Sequence, residues 1–269
     1  MARDKRVKVT NAAEDDFGAA GQRVRKKTPD ASYRYHHHNP LWHVISAFLY
    51  YVVAPIPAWV VTRIYGMTFV NRAEVRRHGG IYLYGNHCHW TDAIMPYLLA
   101  FPRRAYVIAG PTAVSVPFVR HIVPMMGGIP LNSTHEGKAR FREAVDDVVR
   151  RGCIVGIAPE AHEWPYFNGI RDFPPYSFTY PVRACAPVLG YVVTFRQRRW
   201  RKDRRPNLTI TVAEPIQPDQ WQDIDDPKQF LRDEVHRFMC DTVRELNSYA
   251  WIQYDLSSAT QGSQNPSSP

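Results

Sequence analysis

The sequence predicts an α/β fold: a mostly parallel central sheet flanked by helices, preceded by an N-terminal membrane-associated helical segment. Three observations predict it. Short apolar strands alternate with helical periods between residues 81 and 251; Cys153 to Ala158 is an unbroken apolar run; and Leu41 to Val61 carries no Asp, Glu, Lys or Arg. Strand–helix alternation favours parallel pairing, and an unbroken apolar strand is the pattern of one covered on both faces. The expected partition is a flexible basic tail over 1–40, a membrane-associated segment over 41–78, the α/β domain over 79–254, and a disordered tail over 255–269.

Residues 1–40 are polar, with Arg23, Arg25, Lys26 and Lys27 clustered and no sustained apolar period. Such a segment buries too little apolar surface to order itself. His36, His37 and His38 suggest a metal ligand set or, more commonly, a solvated turn. The stretch Leu41–Val61 approaches the roughly 20 apolar residues that cross a bilayer. Pro55 and Pro57 interrupt it, and Trp42, Tyr50, Tyr51 and Trp59 suit a membrane interface. Arg34 precedes it, and Arg63, Arg72, Arg76 and Arg77 follow. A broken helical hairpin lying in one leaflet is the expectation, with a buried core helix as the competing reading.

The expected strands are Ile81–Tyr84, Arg104–Ala109, Gly128–Leu131, Cys153–Ala158, Pro187–Phe195 and Asn207–Ala213. The expected helices are Asp92–Leu99, His135–Arg150 and Pro227–Trp251. In the second of these, Phe141, Ala144, Val145, Val148 and Val149 fall on one helical face. Ser133 with Glu136 reads as its capping box.

The chain has 269 residues, 34 Lys and Arg against 25 Asp and Glu, and a net charge of +9. That balance favours acidic partners such as lipid head groups, phosphorylated substrates or nucleic acid. Four scattered cysteines form no CxxC pair, which excludes a disulfide scaffold and a cysteine-based structural zinc site and fits a reducing compartment. The first long apolar run starts only at Leu41, behind a polar leader, unlike a secretory signal.

Two strand exits carry the chemistry. The first is Gly85-Asn86-His87-Cys88-His89-Trp90-Thr91-Asp92. Active sites of α/β sheets collect at strand carboxyl ends. There His87 supplies a general base and Asp92 a group able to orient its ring; alternatively, Asp92 only caps a helix. No Ser or Cys lies in a nucleophile elbow, so the base would activate a substrate hydroxyl. Cys88 reads as a bystander thiol. The second exit is Pro159-Glu160-Ala161-His162-Glu163-Trp164, where Glu160 and His162 either bind an acceptor or are solvated loop residues. Trp164, Tyr166, Phe167 and Phe173 either line an acyl tunnel or pack the loop.

These segments together resemble the glycerolipid acyltransferase family, of the 1-acylglycerol-3-phosphate type. Four blocks stand in the family's order between Ile81 and Ile216: Asn86-His87 with Asp92, Gly127-Gly128-Ile129-Pro130-Leu131-Asn132-Ser133, Pro159-Glu160, and Pro187-Val188. The resemblance implies His87 as base and Asp92 as its partner. It places Asn86, Glu160, His162, Gly128, Ser133 and Arg171 among the substrate-binding candidates. It also implies acyl-CoA or acyl-carrier protein as donor, a lysolipid acceptor, and attachment to the cytoplasmic face of the cell membrane, with no metal or prosthetic group as cofactor. Ser133 stands where the family carries a phosphate-binding Arg, and Ala161-His162-Glu163 replaces Gly-Thr-Arg in the third block. This matches a variant branch in which His follows Pro-Glu-Ala. Arg171, Lys138, Arg140 and Arg183 are the candidate replacement cations.

Rival readings rest on less. His87, His89 and Asp92 loosely resemble a zinc-hydrolase motif, but zinc needs three or four placed ligands. The run RQRRWRKDRR over 196–205, seven basic residues in ten, suits nucleic acid or, better, a hairpin loop facing anionic lipid.

Overall fold

The computed structural model describes residues 6–11, 14–18, 29, 33–110, 119–132, 134–200, 204–246 and 248–257. Strand β1 (Arg6–Lys8) lies within the segment expected to be a loose tail. Helix α1 (Pro40–Phe48) opens on Asn39, whose side chain accepts from the Leu41 N–H. A π-helical stretch, Leu49–Val53, continues it into α2 (Pro55–Ile64). The hairpin expected from Pro55 and Pro57 does not form. Proline is tolerated in the first turn of a helix, and the Ala54 N–H reaches back to the Leu49 carbonyl at 2.8 Å. The result is one 25-residue helix, Pro40–Ile64, long and apolar enough to cross a membrane.

That helix lies on the domain. Ser46 and Tyr50 are buried, and Ala54, Ala58 and Val61 pack against the core. These positions follow the i, i+4 stripe of a helical face. Tyr50 locks the contact: its hydroxyl donates to the Arg103 carbonyl at 3.0 Å and accepts from the Ala105 N–H at 2.8 Å. The opposite face leaves Leu41, Val44, Ile45, Phe48, Val52, Ile56 and Trp59 exposed. The helix is therefore no buried core helix.

The domain then follows as β2 (Thr68–Val70), α3 (Arg72–Arg77), β3 (Ile81–Gly85), α4 (Met95–Ala100), β4 (Ala105–Ala109), α5 (Val119–Met125), β5 (Gly128–Pro130), α6 (His135–Arg150), β6 (Ile154–Ile157), α7 (Thr179–Ala184), β7 (Val188–Arg196), β8 (Asn207–Val212), α8 (Pro227–Glu245) and β9 (Gln253–Asp255). Seven strands form one sheet in the order β2-β8-β7-β3-β6-β4-β5, parallel except for the β7–β8 hairpin. β2 moves the start of the sheet ahead of residue 79, into the segment expected to be membrane-associated. The β7–β8 hairpin carries the basic run, and Arg198 donates to the Ile64 carbonyl at 2.6 Å, at the carboxyl end of α2.

Strand alternation builds two cores. Ile81, Leu83, Leu189 and Val193 face one side with Leu99, whereas Tyr82, Tyr84, Val188 and Val192 face the other with Phe141, Val145 and Val235. The buried stripe of α6 is the one the sequence predicts, but its N-cap is Thr134, which accepts from the Gly137 N–H at 3.1 Å. Ser133 lies outside the described residues. β1, in the segment expected to be a flexible tail, pairs in parallel with β9, and residues 258–269 of the expected C-terminal tail lie outside the described residues. α8 stops at Glu245, short of the expected Trp251.

Candidate active site

β3 and β6 are adjacent and parallel, so their carboxyl ends lie side by side. Gly85 ends β3 against the Tyr191 ring, where a Cβ would fall 1.9 Å from a ring carbon, so only glycine fits. The buried Asn86 spends its amide on β7, donating to the Val193 carbonyl at 3.0 Å and accepting from the Val193 N–H at 2.8 Å. It thus fixes the strand exit and is not directed at a substrate. His87 comes next, and the chain turns into a 3-10 helix, Trp90–Ile94.

Asp92 Oδ2 lies 3.2 Å from His87 Nδ1 and accepts from the Cys88 and His89 N–H groups at 2.7 and 2.8 Å. The alternatives for Asp92, helix cap or histidine partner, are therefore both realised by one oxygen. With the Nδ1 proton held by that carboxylate, Nε2 keeps a lone pair for proton abstraction. The Asp92 side chain is 2% exposed against 24% for His87, so the pair opens to solvent only through the imidazole. The His89 ring is occupied by Thr91 Oγ1 at 2.7 Å and Tyr166 OH at 3.3 Å. Among the described residues no group of three or more His, Cys, Asp or Glu side chains is arranged to hold a metal.

Burial works against the charged form of His87. The Asp92 hydrogen bond and charge, joined by the charges of Glu163 and Glu160, outweigh it and raise the imidazole above its ordinary value of 6.5. Burial also pushes the Cys88 thiol well up, which keeps it protonated and unsuited to nucleophilic attack.

The β6 exit braces this turn. Glu160 is buried; its Oε2 accepts from the His87 N–H at 3.2 Å and from the Arg171 guanidinium at 3.0 Å, while Oε1 accepts from the Arg171 N–H at 3.2 Å. Burial raises the Glu160 carboxyl, and Arg171 and the two N–H groups pull it back only in part. Beyond Ala161, whose φ of 64° reverses the chain, Trp164 N–H donates to the His87 carbonyl at 3.1 Å and Tyr166 N–H to the Cys88 carbonyl at 2.7 Å. The loop and the histidine turn form a short backbone ladder.

Arg171, a candidate phosphate ligand in the sequence, is committed instead to Glu160, to the His162 carbonyl and to the Trp164 ring, its guanidinium 5.0 Å from the ring centroid. Arg183 pairs with Asp146 on α6. His162 is half-buried, with Nδ1 3.9 Å from Asp16 Oδ2. Trp164 and Phe173 pack as core. Trp164 is enclosed by Phe17, Phe167 and Tyr254, and its indole N–H donates to the Asp15 carbonyl at 2.8 Å. Sequence reasoning missed Asp15, Asp16 and Phe17; Phe17, the first aromatic of a polar segment, was the one signal.

An apolar groove of about 470 Å³ begins at Trp90 and Ile94, in the 3-10 helix that starts three residues past His87. Ala54 with Ala58 and Val61 of α2 forms one wall, and Val107 of β4 and Gly128 of β5 also line the groove. A Cβ on Gly128 would meet Val123 at 2.1 Å, so the glycine keeps β5 and α5 in close contact.

Residues 66–188 match the family model described as Acyltransferase. The matched segment contains His87, Asp92, Glu160 and Arg171 and every strand from β2 to β6. The fold is similar to that of the crystal structure of the 1-acyl-sn-glycerophosphate (LPA) acyltransferase, PlsC, from Thermotoga maritima, with 15% identity, a TM-score of 0.50, and 78% of this chain and 95% of that chain covered. No curated protein matches. The matched segment thus has its His–Asp pair at the carboxyl end of a central strand.

A base of this kind acts only when neutral, and its elevated titration sets a clear expectation. Acyl-transfer kcat/KM should rise with pH along an acid limb centred above 6.5. Asp92→Asn should move that limb to lower pH, because it removes the charge that favours the imidazolium. A limb at or below 6.5 in the parent protein, or one unmoved by the substitution, contradicts this reading of His87.

Proposed function

We propose that the protein transfers a fatty acyl group from the thioester of acyl-CoA or acyl-carrier protein to a free hydroxyl of a lysolipid. The observation that carries this reading is the His87–Asp92 contact of 3.2 Å beside an apolar groove. His87 Nε2 takes the proton of the acceptor hydroxyl as its oxygen bonds to the thioester carbonyl carbon. The tetrahedral adduct then expels the thiolate, which recovers the proton from the imidazolium. Asp92 holds the ring in place and offsets its transient charge. The acyl chain lies in the groove, and no metal or prosthetic group is required.

The resemblance names 1-acylglycerol-3-phosphate as acceptor, giving phosphatidate. A specific observation favours a second acceptor class, a lysolipid without a phosphate. Asp92, Glu163 and Glu160 surround His87 with negative charge, and Arg171 is engaged elsewhere. The test is thiol release from acyl-CoA and from a carrier-protein thioester by detergent-solubilised protein, across a panel of phosphate-bearing and phosphate-free lysolipids. Release with lysophosphatidate supports the first acceptor, and release only with phosphate-free lysolipids the second. No release with any pair sinks the reading.

Membrane attachment through the exposed face of residues 40–64 belongs to the same proposal, with the domain on the cytoplasmic side. One helix face is fixed to the domain along its length, so the other lies in the bilayer surface and does not cross it. Phe48→Glu with Ile56→Glu places two charges on that face. The double variant should stay folded and lose flotation with lipid vesicles; unchanged flotation would rule out this face.

A further inference from the structure

A second cavity lies on the other face of the sheet from the apolar groove. It measures about 450 Å³ and is closed by residues 33–47 on one side and by α6, β4 and β5 on the other. Its cations are Arg34, Arg104 and Arg151, joined by the imidazoles of His36, His37, His38 and His43. Among the described residues no Asp or Glu lines it. Arg104 and Arg151 stand at the amino ends of β4 and β6, whereas His87 and Glu160 follow strand carboxyl ends, so the two sites occupy opposite ends of a parallel sheet.

Arg104 keeps one donor that its protein contacts do not use. Its guanidinium lies 4.2 Å from the Tyr50 ring centroid and donates to Ser46 Oγ at 2.9 Å and to the Met125 carbonyl, yet its buried Nε has no hydrogen-bond partner. Buried donors without acceptors are rare and call for an explanation. Arg151 pairs with Asp147 at 3.1 Å, which also lies 3.8 Å from His36, so this carboxylate is shared between two cavity residues. The wall is amphipathic. Trp42 stacks on His37 with centroids 4.0 Å apart, and Tyr106 and Val148 add apolar surface.

The location selects the ligand. Trp42, His43, Ser46 and Ala47 belong to the first turns of the helix whose outer face, from Leu41 to Phe48, is exposed and apolar. A molecule with its anionic head in the cavity could lay its chains along that face. We infer that this cavity binds the phosphate head group of an anionic membrane glycerophospholipid, at a site separate from the His87 centre.

Native mass spectrometry of the detergent-solubilised full chain tests the site, with phosphatidylglycerol, phosphatidylcholine and inorganic phosphate as probes. Phosphatidylglycerol should be retained in preference to phosphatidylcholine. Arg34→Gln with Arg151→Gln should weaken retention by about tenfold for each guanidinium removed, since a hydrogen bond to a charged group is worth about 1.5–3 kcal/mol and about 1.4 kcal/mol is tenfold. Ala47→Trp fills the mouth without changing charge and should exclude the lipid. His87→Ala should retain it, so failure of acyl transfer and failure of this site are separable. Equal retention of both lipids, or no effect of either cavity change in protein of unaltered melting temperature, overturns the inference. Displacement of the lipid by millimolar inorganic phosphate would assign the site to a soluble anion and overturn the lipid as its occupant.

Discussion

His87→Ala should lower acyl transfer by about 10²- to 10⁴-fold, the range attributed to a positioned general base, while leaving the melting temperature close to that of the parent. The imidazole is the one partly open member of its pair, at 24% exposed, and its removal vacates little core. Asp92→Asn should cost activity as well, but with a structural component. The same oxygen that meets His87 Nδ1 also receives the Cys88 and His89 N–H groups, and an amide in that place can turn a donor toward them. Single-turnover thiol release separates the two effects, because chemistry is read apart from product release. Full activity in His87→Ala would remove the base from the mechanism.

Arg171→Ala should destabilise the protein by about 3–5 kcal/mol, the usual cost of leaving one member of a buried ion pair uncompensated. Glu160 is buried among the His87 N–H, the Arg171 N–H and the guanidinium, and its carboxyl is raised even with all three in place. Without the guanidinium it must protonate or admit water. Replacing both partners, Glu160→Met with Arg171→Met, should cost less than the sum of the single changes, since no isolated charge remains. Urea unfolding followed by circular dichroism measures all three. Strict additivity, or a loss below 1 kcal/mol for Arg171→Ala, would show that the pair is not coupled as drawn. Activity should fall with stability in these variants, because Glu160 holds the backbone from which His87 projects.

The strands and helices that were legible are those whose burial leaves a period. β6 is covered on both faces, and α6 shows its buried stripe in Phe141, Ala144, Val145 and Val148. β1, β2 and β9 are three residues each and half exposed, too short for any period. The path of residues 40–64 was misread because proline is a helix breaker only where its N–H was needed; the π-helical stretch supplies the adjustment at Pro55. In the site, the five-residue spacing of His87 and Asp92 was readable because side chains carry it. The ladder from Trp164 and Tyr166 to the histidine turn was not, since backbone groups carry no residue signature. The ion pair of Arg171 was not legible, because a charge in a sequence does not reveal whether its partner lies inside the fold.

The wall that α2 contributes to the groove ties the kinetics to two dimensions. Ala54, Ala58 and Val61 face the groove while Ile56 and Trp59 of the same helix face outward, so under the proposed attachment one helix would be both bilayer contact and groove wall. Under that proposal an acyl chain would pass from lipid toward His87 along this wall. For such an enzyme the effective substrate concentration is the mole fraction of lysolipid in the surface. Diluting that surface with inert lipid should slow turnover even when the total amount of substrate in the tube is unchanged.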